Sequence, residues 1–508
     1  MKYPKKRALI SVYHKVGIEK VAASLYKDGW EIISTGGTAS FIEENSIPVT
    51  KVSNITGFPE ILNGRVKTLH PKIFGPILAE NSKKHLNELK NFSLSKIDLV
   101  LINFYPFEEF LHKGTEVSAM IEKIDIGGPS MVRAAAKNFK NTIVIVKEED
   151  YRLIDEKVVT GNISESDRKE LAAKAFSYTS YYDSLISNYL YEDNLFDREY
   201  LSIAGKKFFT PRYGENPHQK GSVFITDNDS PIKNLKKIQG KQLSYNNILD
   251  ISVVYDMTNQ FVKDEKFCVI VKHQNPCGAA LSKNIAKSFD KALLGDPISA
   301  FGGVVGFNDI VDSNTAEKLL KLFLEVIVAP KFSDEAIDIL KKKKNLRLIE
   351  LNPDYHEKKY IRSIPGGFII QEKDNKYVDV KEFNLQTSRM PNEKEKKDIS
   401  FGWKLIKFIK SNAILLVKDQ RILGVGAGQM SRIDSVDIAI KKAGDDLKGS
   451  TLLSDAFFPF KDSIERLSGL GINVVVEPGG SVRDEEVIKS AESSGISLIF
   501  TGIRHFLH

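Results

Sequence analysis

The first 150 residues alternate short apolar runs with segments of helical periodicity, and this alternation restricts the chain to few folds. The apolar runs are residues 7–12, 30–34, 97–103 and 142–146, and the helical segments include 17–27 and 38–45. Runs that are apolar on both faces are typical of strands buried in a parallel sheet, with helices as crossovers. The pattern predicts a doubly wound α/β domain, closed by a helical region over 148–191.

The α/β rhythm resumes after a charged segment at 192–198. It predicts strands at 267–272, 303–307 and 325–329, helices at 284–294, 313–323 and 401–410, a hairpin at 413–425 that turns at 418–420, and three further strand–helix pairs. A polar stretch at 371–397 divides this half. A chain of 508 residues holds about three or four domains. We predict domains at 1–200, 201–370 and 371–508.

Composition narrows the class of protein. Hydrophobic residues make up 42% and charged residues 27% of the chain, and the net charge of +7 is spread along it. This balance disfavours a basic nucleic-acid-binding protein, an alternative that oligonucleotide binding would test. Two cysteines predict a reducing compartment, and no apolar run reaches the ~20 residues of a membrane span. No signal-peptide core follows the basic N-terminus, so we predict a cytoplasmic protein without nucleic-acid or membrane partners.

Lys272 and His273 stand where an apolar run, residues 267–271, passes into polar turn residues. Strand ends are where α/β folds place their chemistry. A cation beside an imidazole can hold a developing negative charge while the imidazole moves a proton. The alternative interpretation is a surface loop.

An anion site is predicted between the second strand and its helix. The stretch Ser34-Thr35-Gly36-Gly37-Thr38 supplies small residues with free N–H groups at a helix N-terminus. Ser11 and Lys15 follow the first strand and belong to the same sheet edge. A tight turn with a threonine N-cap is the alternative.

Two further clusters belong to the first domain. Arg65 and Lys67 alternate as in an extended segment, which predicts two cations on one side with Thr68 nearby; a solvated edge is the alternative. Asn103 and Tyr105 follow a buried strand. They either place an amide and a phenol at the catalytic edge of the sheet or belong to an aromatic part of the core.

A third cluster opens a predicted helix. Asp125 precedes Gly127 and Gly128, which allow close backbone approach, and Arg133 and Lys137 share one face of the helix. A solvated basic face is the alternative.

Cofactor and metal patterns are incomplete. Residues 424–429 lack the last glycine of a dinucleotide fingerprint, and Pro276-Cys277 lacks the second cysteine of a zinc deaminase motif. Cys277 as a nucleophile has only His273 as a possible partner. We therefore predict neither a nicotinamide cofactor nor zinc.

The clusters together resemble one enzyme family along nearly the whole chain. The matching motifs are Ser34-Thr-Gly-Gly-Thr38, residues 64–71, Asn103-Phe-Tyr-Pro-Phe107, residues 124–128, Arg133-Ala-Ala-Ala-Lys137, Arg212-Tyr-Gly-Glu-Asn-Pro-His-Gln219, Lys272-His-Gln-Asn-Pro-Cys-Gly278, residues 296–303, 426–429, 454–460 and 477–484. The chain is similar to the bifunctional aminoimidazole-carboxamide ribonucleotide (AICAR) transformylase and inosine-monophosphate (IMP) cyclohydrolase of purine biosynthesis.

This resemblance implies a methylglyoxal-synthase-like first domain that closes the purine ring. The implied phosphate- and ribose-binding residues are Ser11, Lys15, Ser34, Thr35, Gly36, Gly37, Arg65, Thr68, Asn103 and Gly127. The implied catalytic residues are Lys67, Tyr105, Asp125 and Lys137.

The resemblance implies that the second half consists of two cytidine-deaminase-like subdomains without zinc, which transfer a formyl group from 10-formyltetrahydrofolate. Lys272 and His273 would carry that step. The implied ligand-binding residues are Arg212, Tyr213, His218, Asn412, Asp455 and Arg504. A homodimer, the absence of a catalytic metal and a possible structural monovalent cation are also implied.

The chain departs from the family pattern in its first domain. It has Tyr13, His14 and Val16 where the family usually has Ser, Asp and Thr. It also has Phe74-Gly-Pro76 where the family usually has His-Gly-Gly or a similar sequence. One alternative therefore stays open: a transformylase whose first domain is a non-catalytic, nucleotide-binding regulatory module.

Overall fold

The structure, a computed structural model, describes residues 5–111, 115–191, 195–352 and 355–508. The chain forms two compact units, residues 1–205 and 206–508.

The first unit is built on a five-stranded parallel sheet of order β3-β2-β1-β4-β5. The strands are β1 (Arg7–Ser11), β2 (Glu31–Ser34), β3 (Thr50–Lys51), β4 (Leu99–Ile102) and β5 (Ile143–Ile145). The helices are α1 (Ile18–Lys27), α2 (Gly36–Glu44), α3 (Val52–Thr56), α4 (Pro71–Leu78), α5 (Lys83–Asn91), α6 (Phe107–Phe110), α7 (Val117–Ile121), α8 (Gly127–Lys137) and α9 (Glu165–Leu190).

This strand order agrees with the predicted doubly wound domain. The side chains of β4 are buried, and so are those of the middle of β1, which explains their unbroken apolar sequence. The strand order reverses between β1 and β4. Ligands of such sheets bind outside the carboxyl ends of the strands at this point.

The second unit contains a twelve-stranded mixed sheet of order β16-β21-β20-β19-β17-β18-β10-β9-β11-β12-β13-β8 and two separate strand pairs, β6–β7 and β14–β15. The strands are β6 (Lys206–Phe209), β7 (Val223–Ile225), β8 (Lys236–Gln239), β9 (Lys266–Lys272), β10 (Asn275–Ser282), β11 (Gly303–Phe307), β12 (Leu324–Ala329), β13 (Arg347–Glu350), β14 (Lys359–Ile364), β15 (Gly367–Glu372), β16 (Asn384–Leu385), β17 (Ile414–Lys418), β18 (Arg421–Gly426), β19 (Thr451–Ser454), β20 (Val474–Glu477) and β21 (Ser497–Phe500).

Helices cover this sheet. They are α10 (Tyr245–Thr258), α11 (Ile285–Leu293), α12 (Pro297–Ala300), α13 (Ser313–Leu319), α14 (Asp334–Leu340), α15 (Glu393–Ile406), α16 (Arg432–Ala443), α17 (Asp462–Leu467) and α18 (Asp484–Ser493). The sheet runs through both predicted subdomains, so their division at residue 370 stays a prediction.

Two sequence predictions in this unit were wrong. The polar residues that follow Lys272, up to Gly278, were expected to form a loop, but only His273 and Gln274 form a turn, and β10 begins at Asn275 and pairs antiparallel with β9. The helix predicted at 401–410 spans Glu393–Ile406 instead, because Asn392 and Glu395 form a capping box in a segment whose charge suggested a linker.

The predicted hairpin at 413–425 is confirmed as β17–β18. Asp419 and Gln420 both have positive φ, as a two-residue turn between twisted strands requires. The carboxylate of Asp398 accepts both of their backbone N–H groups.

None of the helices in the described parts of the chain is long and apolar enough to cross a membrane.

Candidate active sites

The N-terminus of α2 leaves backbone donors without a side-chain cap. Thr35 occupies the N-cap in an extended conformation, and its side chain makes no capping hydrogen bond. The ammonium of Lys67 lies 3.4 Å from the position that a Cβ on Gly36 would occupy. Free N–H groups at a helix start, with a cation beside them, form an anion site.

Ser34 and Thr38 hold this turn in place. The buried Ser34 hydroxyl donates to the Ile10 carbonyl at 2.6 Å. The Thr38 hydroxyl accepts the N–H of Val12 and donates to its carbonyl. These bonds tie the end of β1 to the turn after β2. Ser11 closes β1 opposite Ile102, and Lys15 is half-buried before α1.

The extended segment predicted for Arg65 and Lys67 was wrong. Residues 62–64 form a 3₁₀ turn that is closed by pairing of Ile61 with Val66, so the two cations diverge. Arg65 forms an ion pair with Glu122, whereas Lys67 lies 3.3 Å from Glu60 and faces α2. The reason is that Leu62, Asn63 and Gly64 all have positive φ and that Arg65 then adopts a right-handed helical backbone, which a two-residue periodicity cannot reveal.

Asp125 caps the start of α8 and is mostly enclosed. Its carboxylate accepts the N–H of Gly128 at 2.8 Å, and the hydroxyl of Tyr182 accepts its backbone N–H. Burial raises the pKa of Asp125, while hydrogen bonds and the charge of Lys67 act against the rise. A carboxyl with a raised pKa can exchange a proton more readily at neutral pH than an exposed aspartate can.

Gly127 and Thr68 approach closely beside this carboxylate. A Cβ on Gly127 would lie 2.7 Å from the Thr68 hydroxyl oxygen, and Thr68 is buried. The small residue therefore makes room for a hydroxyl at the helix start.

The unusual residues Tyr13 and His14 belong to the same edge of the sheet. The side-chain oxygen of Asn103 accepts both of their backbone N–H groups, at 2.5 and 3.2 Å. The Tyr13 ring lies 5.3 Å from that of Tyr105, and His14 is 3.4 Å from Glu109. Tyr13 thus places an aromatic surface beside a predicted catalytic phenol.

Lys137 lies apart from the other predicted residues of its unit. It ends α8, whereas Asp125 precedes the start of that helix. Ten residues at ~1.5 Å each place Gly127 and Lys137 ~15 Å apart. Lys137 therefore lies at the opposite end of α8 from Asp125.

In the second unit, Lys272 ends β9 and His273 begins a two-residue turn to β10. His273 and Gln274 both have positive φ, and the imidazole is exposed. The Lys272 ammonium donates to the Phe301 carbonyl at 2.6 Å, which fixes the side chain beside the turn.

Sequence reasoning missed Asp250, a carboxylate on α10 behind this turn. It accepts the N–H of Gln274 at 2.7 Å. Burial raises its pKa, and the nearby charges of His273 and Lys272 partly offset the rise. In the sequence, nothing distinguishes Asp250 from an aspartate exposed to solvent.

Asn412 and Asp455 meet at Arg432, a second residue that was missed. The buried guanidinium donates to the Asn412 side-chain oxygen at 2.8 Å, to Ser454 and to Asp455. The other carboxylate oxygen of Asp455 accepts the Ser411 hydroxyl. Since Asp455 is fully buried with both oxygens bonded, its geometry fits positioning better than direct contact with a ligand.

The chain end adjoins this cluster. The N–H of His505 donates to the Asp455 carbonyl, and Leu507 exchanges hydrogen bonds with Ser411. Arg504 is exposed and stacks on Phe506. Lys410 donates its N–H to the Asn275 side chain, which joins this region to the β9–β10 turn.

Arg212 and Tyr213 lie on a loop tied to the start of α10. Gln242 donates to the Thr210 carbonyl, and Asn246 donates to that of Glu215. Arg212 packs over the Tyr213 ring, and His218 on the same loop is exposed. Helix α10 therefore connects this loop to Asp250 and the His273 turn.

The thiol of Cys277 is not prepared to act as a nucleophile. Burial raises the pKa of Cys277 to about 12, and its thiol donates to the Ile270 carbonyl. In the described ranges, no three His, Cys, Asp or Glu side chains are grouped as metal ligands.

Each unit thus brings cations, carboxylates and backbone donors together at the ends of its strands. An α/β fold with two such sites defines a two-site enzyme for small anionic substrates.

Comparison with known proteins identifies the family. A family model described as the AICARFT/IMPCHase bienzyme matches residues 135–442, and an MGS-like domain model matches residues 17–130. The bifunctional purine biosynthesis protein PurH of Thermoanaerobacter sp. (strain X514) is 47% identical over 99% of this chain and 100% of its own length. Those of Persephonella marina and Aquifex aeolicus are 46% and 45% identical with the same coverage.

The chain belongs to the AICARFT/IMPCHase bienzyme family. The resemblance inferred from its motifs is confirmed, and the first unit contains the MGS-like domain that was predicted.

Proposed function

We infer that each unit carries one of the two activities of this family. The chain is a bifunctional enzyme of purine biosynthesis, with AICAR formyltransferase and IMP cyclohydrolase activities. The observation that carries this conclusion is the match to PurH proteins over 99% of the chain. The alternative of a non-catalytic first domain is not favoured.

We propose that formyl transfer takes place around Lys272 and His273 in the second unit. The AICAR amine attacks the formyl carbon of 10-formyltetrahydrofolate, and the carbonyl oxygen gains negative charge. Lys272 is proposed to stabilise that charge, and His273 is proposed to take the amine proton. Collapse of the intermediate breaks the bond to N10, which leaves protonated as tetrahydrofolate.

Arg212, Tyr213, His218 and Arg504 are proposed to bind the ribonucleotide. Arg432 is proposed to hold Asn412 and Asp455 in place. This assignment goes with the proposed zinc-free, cytidine-deaminase-like architecture of two subdomains in residues 201–370 and 371–508.

We propose that ring closure takes place in the first unit. The phosphate and ribose are proposed to lie on the turn between β2 and α2, among Ser11, Lys15, Ser34, Thr35, Gly36 and Gly37, with Arg65, Thr68, Asn103 and Gly127 around them. The carboxamide nitrogen attacks the formyl carbon, and water leaves. Lys67 and Tyr105 are proposed to stabilise the oxygen, and Asp125 is proposed to carry the proton.

A homodimer is part of this proposal. Because Lys137 lies at the opposite end of α8 from Asp125, we propose that a catalytic Lys137 acts in the site of a partner chain. Mixing a Lys137→Met chain with a Lys67→Met chain tests this, because heterodimers should regain ring closure. Cytoplasmic location and a bound monovalent cation also remain predictions.

An assay that follows two products tests whether each unit carries one of the two activities. With AICAR ribonucleotide and 10-formyltetrahydrofolate, tetrahydrofolate and IMP are followed separately. His273→Ala should abolish tetrahydrofolate formation but still close the ring of supplied formylated ribonucleotide, and Lys67→Met should show the reverse. Loss of both activities in either folded variant would contradict the proposal.

A further inference from the structure

A polar cavity lies in the first unit at the amino ends of its strands. Its volume is 210 Å³, and its lining residues include Lys6, Lys96, Asp98 and Asn141, which precede β1, β4 and β5. The proposed ring-closure site lies at the carboxyl ends of the same strands. The two sites are therefore at opposite edges of one sheet.

Positive charge is in excess in this cavity. Lys6, Lys96, Lys140 and Arg168 line it together with one carboxylate, that of Asp98. One oxygen of Asp98 accepts the Arg7 N–H at 3.0 Å and the other accepts from Lys96 at 3.2 Å. Both oxygens of the Asp98 carboxylate thus already accept hydrogen bonds from within the protein.

One buried N–H donor of the Arg168 guanidinium lacks a hydrogen-bond acceptor in the described parts of the chain. This donor is the Nη1 atom, which is shielded from solvent. Burial lowers the pKa of this guanidinium, and the charge of Asp98 acts against the change. Native proteins rarely leave a buried cationic donor unpaired, because the lost solvation is not recovered.

The remaining lining residues give the cavity an apolar wall and amide groups. Trp30, Ile143, Val158 and Ile163 line it, and so do the side chains of Asn81 and Asn141. Pockets for drug-sized ligands are typically ~300–1,000 Å³, so this cavity fits a phosphate group and a few attached atoms.

We propose that this cavity binds a small phosphate-type anion: inorganic phosphate, pyrophosphate or the phosphate end of a short monoester. Arg168 and Lys96 would contact the phosphoryl oxygens, with Lys6 and Lys140 at the mouth. Arginine suits this role because its fork of N–H groups matches phosphate oxygens.

Equilibrium dialysis of the full chain with radiolabelled pyrophosphate tests the proposal. Arg168→Met is compared with Lys169→Met, which removes the same charge from the neighbouring, exposed residue of α9 outside the cavity. The Arg168 variant should lose one bound pyrophosphate per chain, or bind it about 10- to 100-fold more weakly. The Lys169 variant should bind like the wild type. Equal stoichiometry and affinity in both variants would overturn the proposal.

Amine labelling of the unmutated protein gives a test that does not depend on the folding of a variant. Saturating pyrophosphate at matched ionic strength should lower acetylation of Lys6 and Lys140 several-fold, while Lys169 stays unchanged. Unchanged labelling of Lys6 and Lys140 would count against an anion site. Neither readout depends on the enzyme's two activities.

Discussion

Asp250 accepts the backbone N–H of Gln274 at 2.7 Å, within the turn that carries His273. The bond fixes a two-residue turn whose φ angles are both positive. It also places a carboxylate near the two groups proposed for formyl transfer. Asp250 is therefore both a support for the turn and an electrostatic partner of Lys272 and His273.

Asp250→Asn should lower the rate of formyl transfer about 10-fold, which is less than the ~100- to 10,000-fold that a proton-transfer group itself contributes, because His273 is retained. The amide oxygen still accepts the Gln274 N–H, but the negative charge beside Lys272 and His273 is lost. Steady-state kinetics of formyl transfer measure this, and ring closure by the same preparation is the control. An unchanged rate would show that Asp250 only supports the turn.

Gly127→Ala should damage ring closure without unfolding the protein. The new Cβ would lie 2.7 Å from the Thr68 hydroxyl, so Thr68 must rotate away from its proposed ligand. We expect KM for the formylated ribonucleotide to rise about 10-fold, the equivalent of one lost hydrogen bond to a charged group. Gly75→Ala is the matched control, because its Cβ would meet only an ordinary contact with Leu89. Similar kinetics for the two variants would refute this account of Gly127.

Arg432→Met should destabilise the second unit by about 3–5 kcal/mol, because it leaves the buried carboxylate of Asp455 without its cation. Asn412 loses its partner as well, so formyl transfer should fall in the protein that remains folded. Urea unfolding measures the first effect. Arg466→Met, which breaks an exposed ion pair with Asp437, should cost less than about 1 kcal/mol. Equal costs for the two variants would count against a buried role for Arg432.

Glu477→Gln should remove a dependence of stability on pH. Burial raises the pKa of Glu477 to about 8, so the native state keeps a proton that the unfolded chain releases near pH 4.5. Stability therefore falls as pH rises from about 5 to 8, by about 1.4 kcal/mol per pH unit, and is level above that range.

The glutamine variant should match the wild type at pH 5 and exceed it by a few kcal/mol at pH 8, since its amide oxygen still accepts the Phe458 N–H. Urea unfolding at several pH values checks this. Glu485→Gln, at an exposed position of α18, should keep the wild-type slope. A wild-type slope in Glu477→Gln would show that this carboxyl is ionised in the native protein.

Sequence reasoning was sufficient where the signal is local. The apolar runs of β1 and β4, the turn at Asp419 and Gln420, and the Thr35-Gly36-Gly37 helix start each depend on residues a few positions apart. Their periodicity and turn chemistry can be read without the fold. The ordered motifs were sufficient to identify the family.

Hydrogen-bond and ion-pair partners that are distant in sequence could not be predicted in this way. Asp250 and Gln274 are 24 residues apart, and Arg432 and Asp455 are 23 apart. On their own helices, Asp250 and Arg432 look like solvated charges, because the burial of a side chain depends on what packs over it. The turn at residues 62–64, where three consecutive residues have positive φ, likewise prevented the extended segment predicted for Arg65 and Lys67.

The sequence by itself determined the α/β class, the family and which polar residues stand at strand ends, because these depend on local pattern and on motif order. Only the tertiary structure decided that Asp250 lies behind His273, that Arg432 meets Asp455 and that β10 joins one twelve-stranded sheet. Those relationships are set by long-range packing, which buries some charges against partners and leaves others in water.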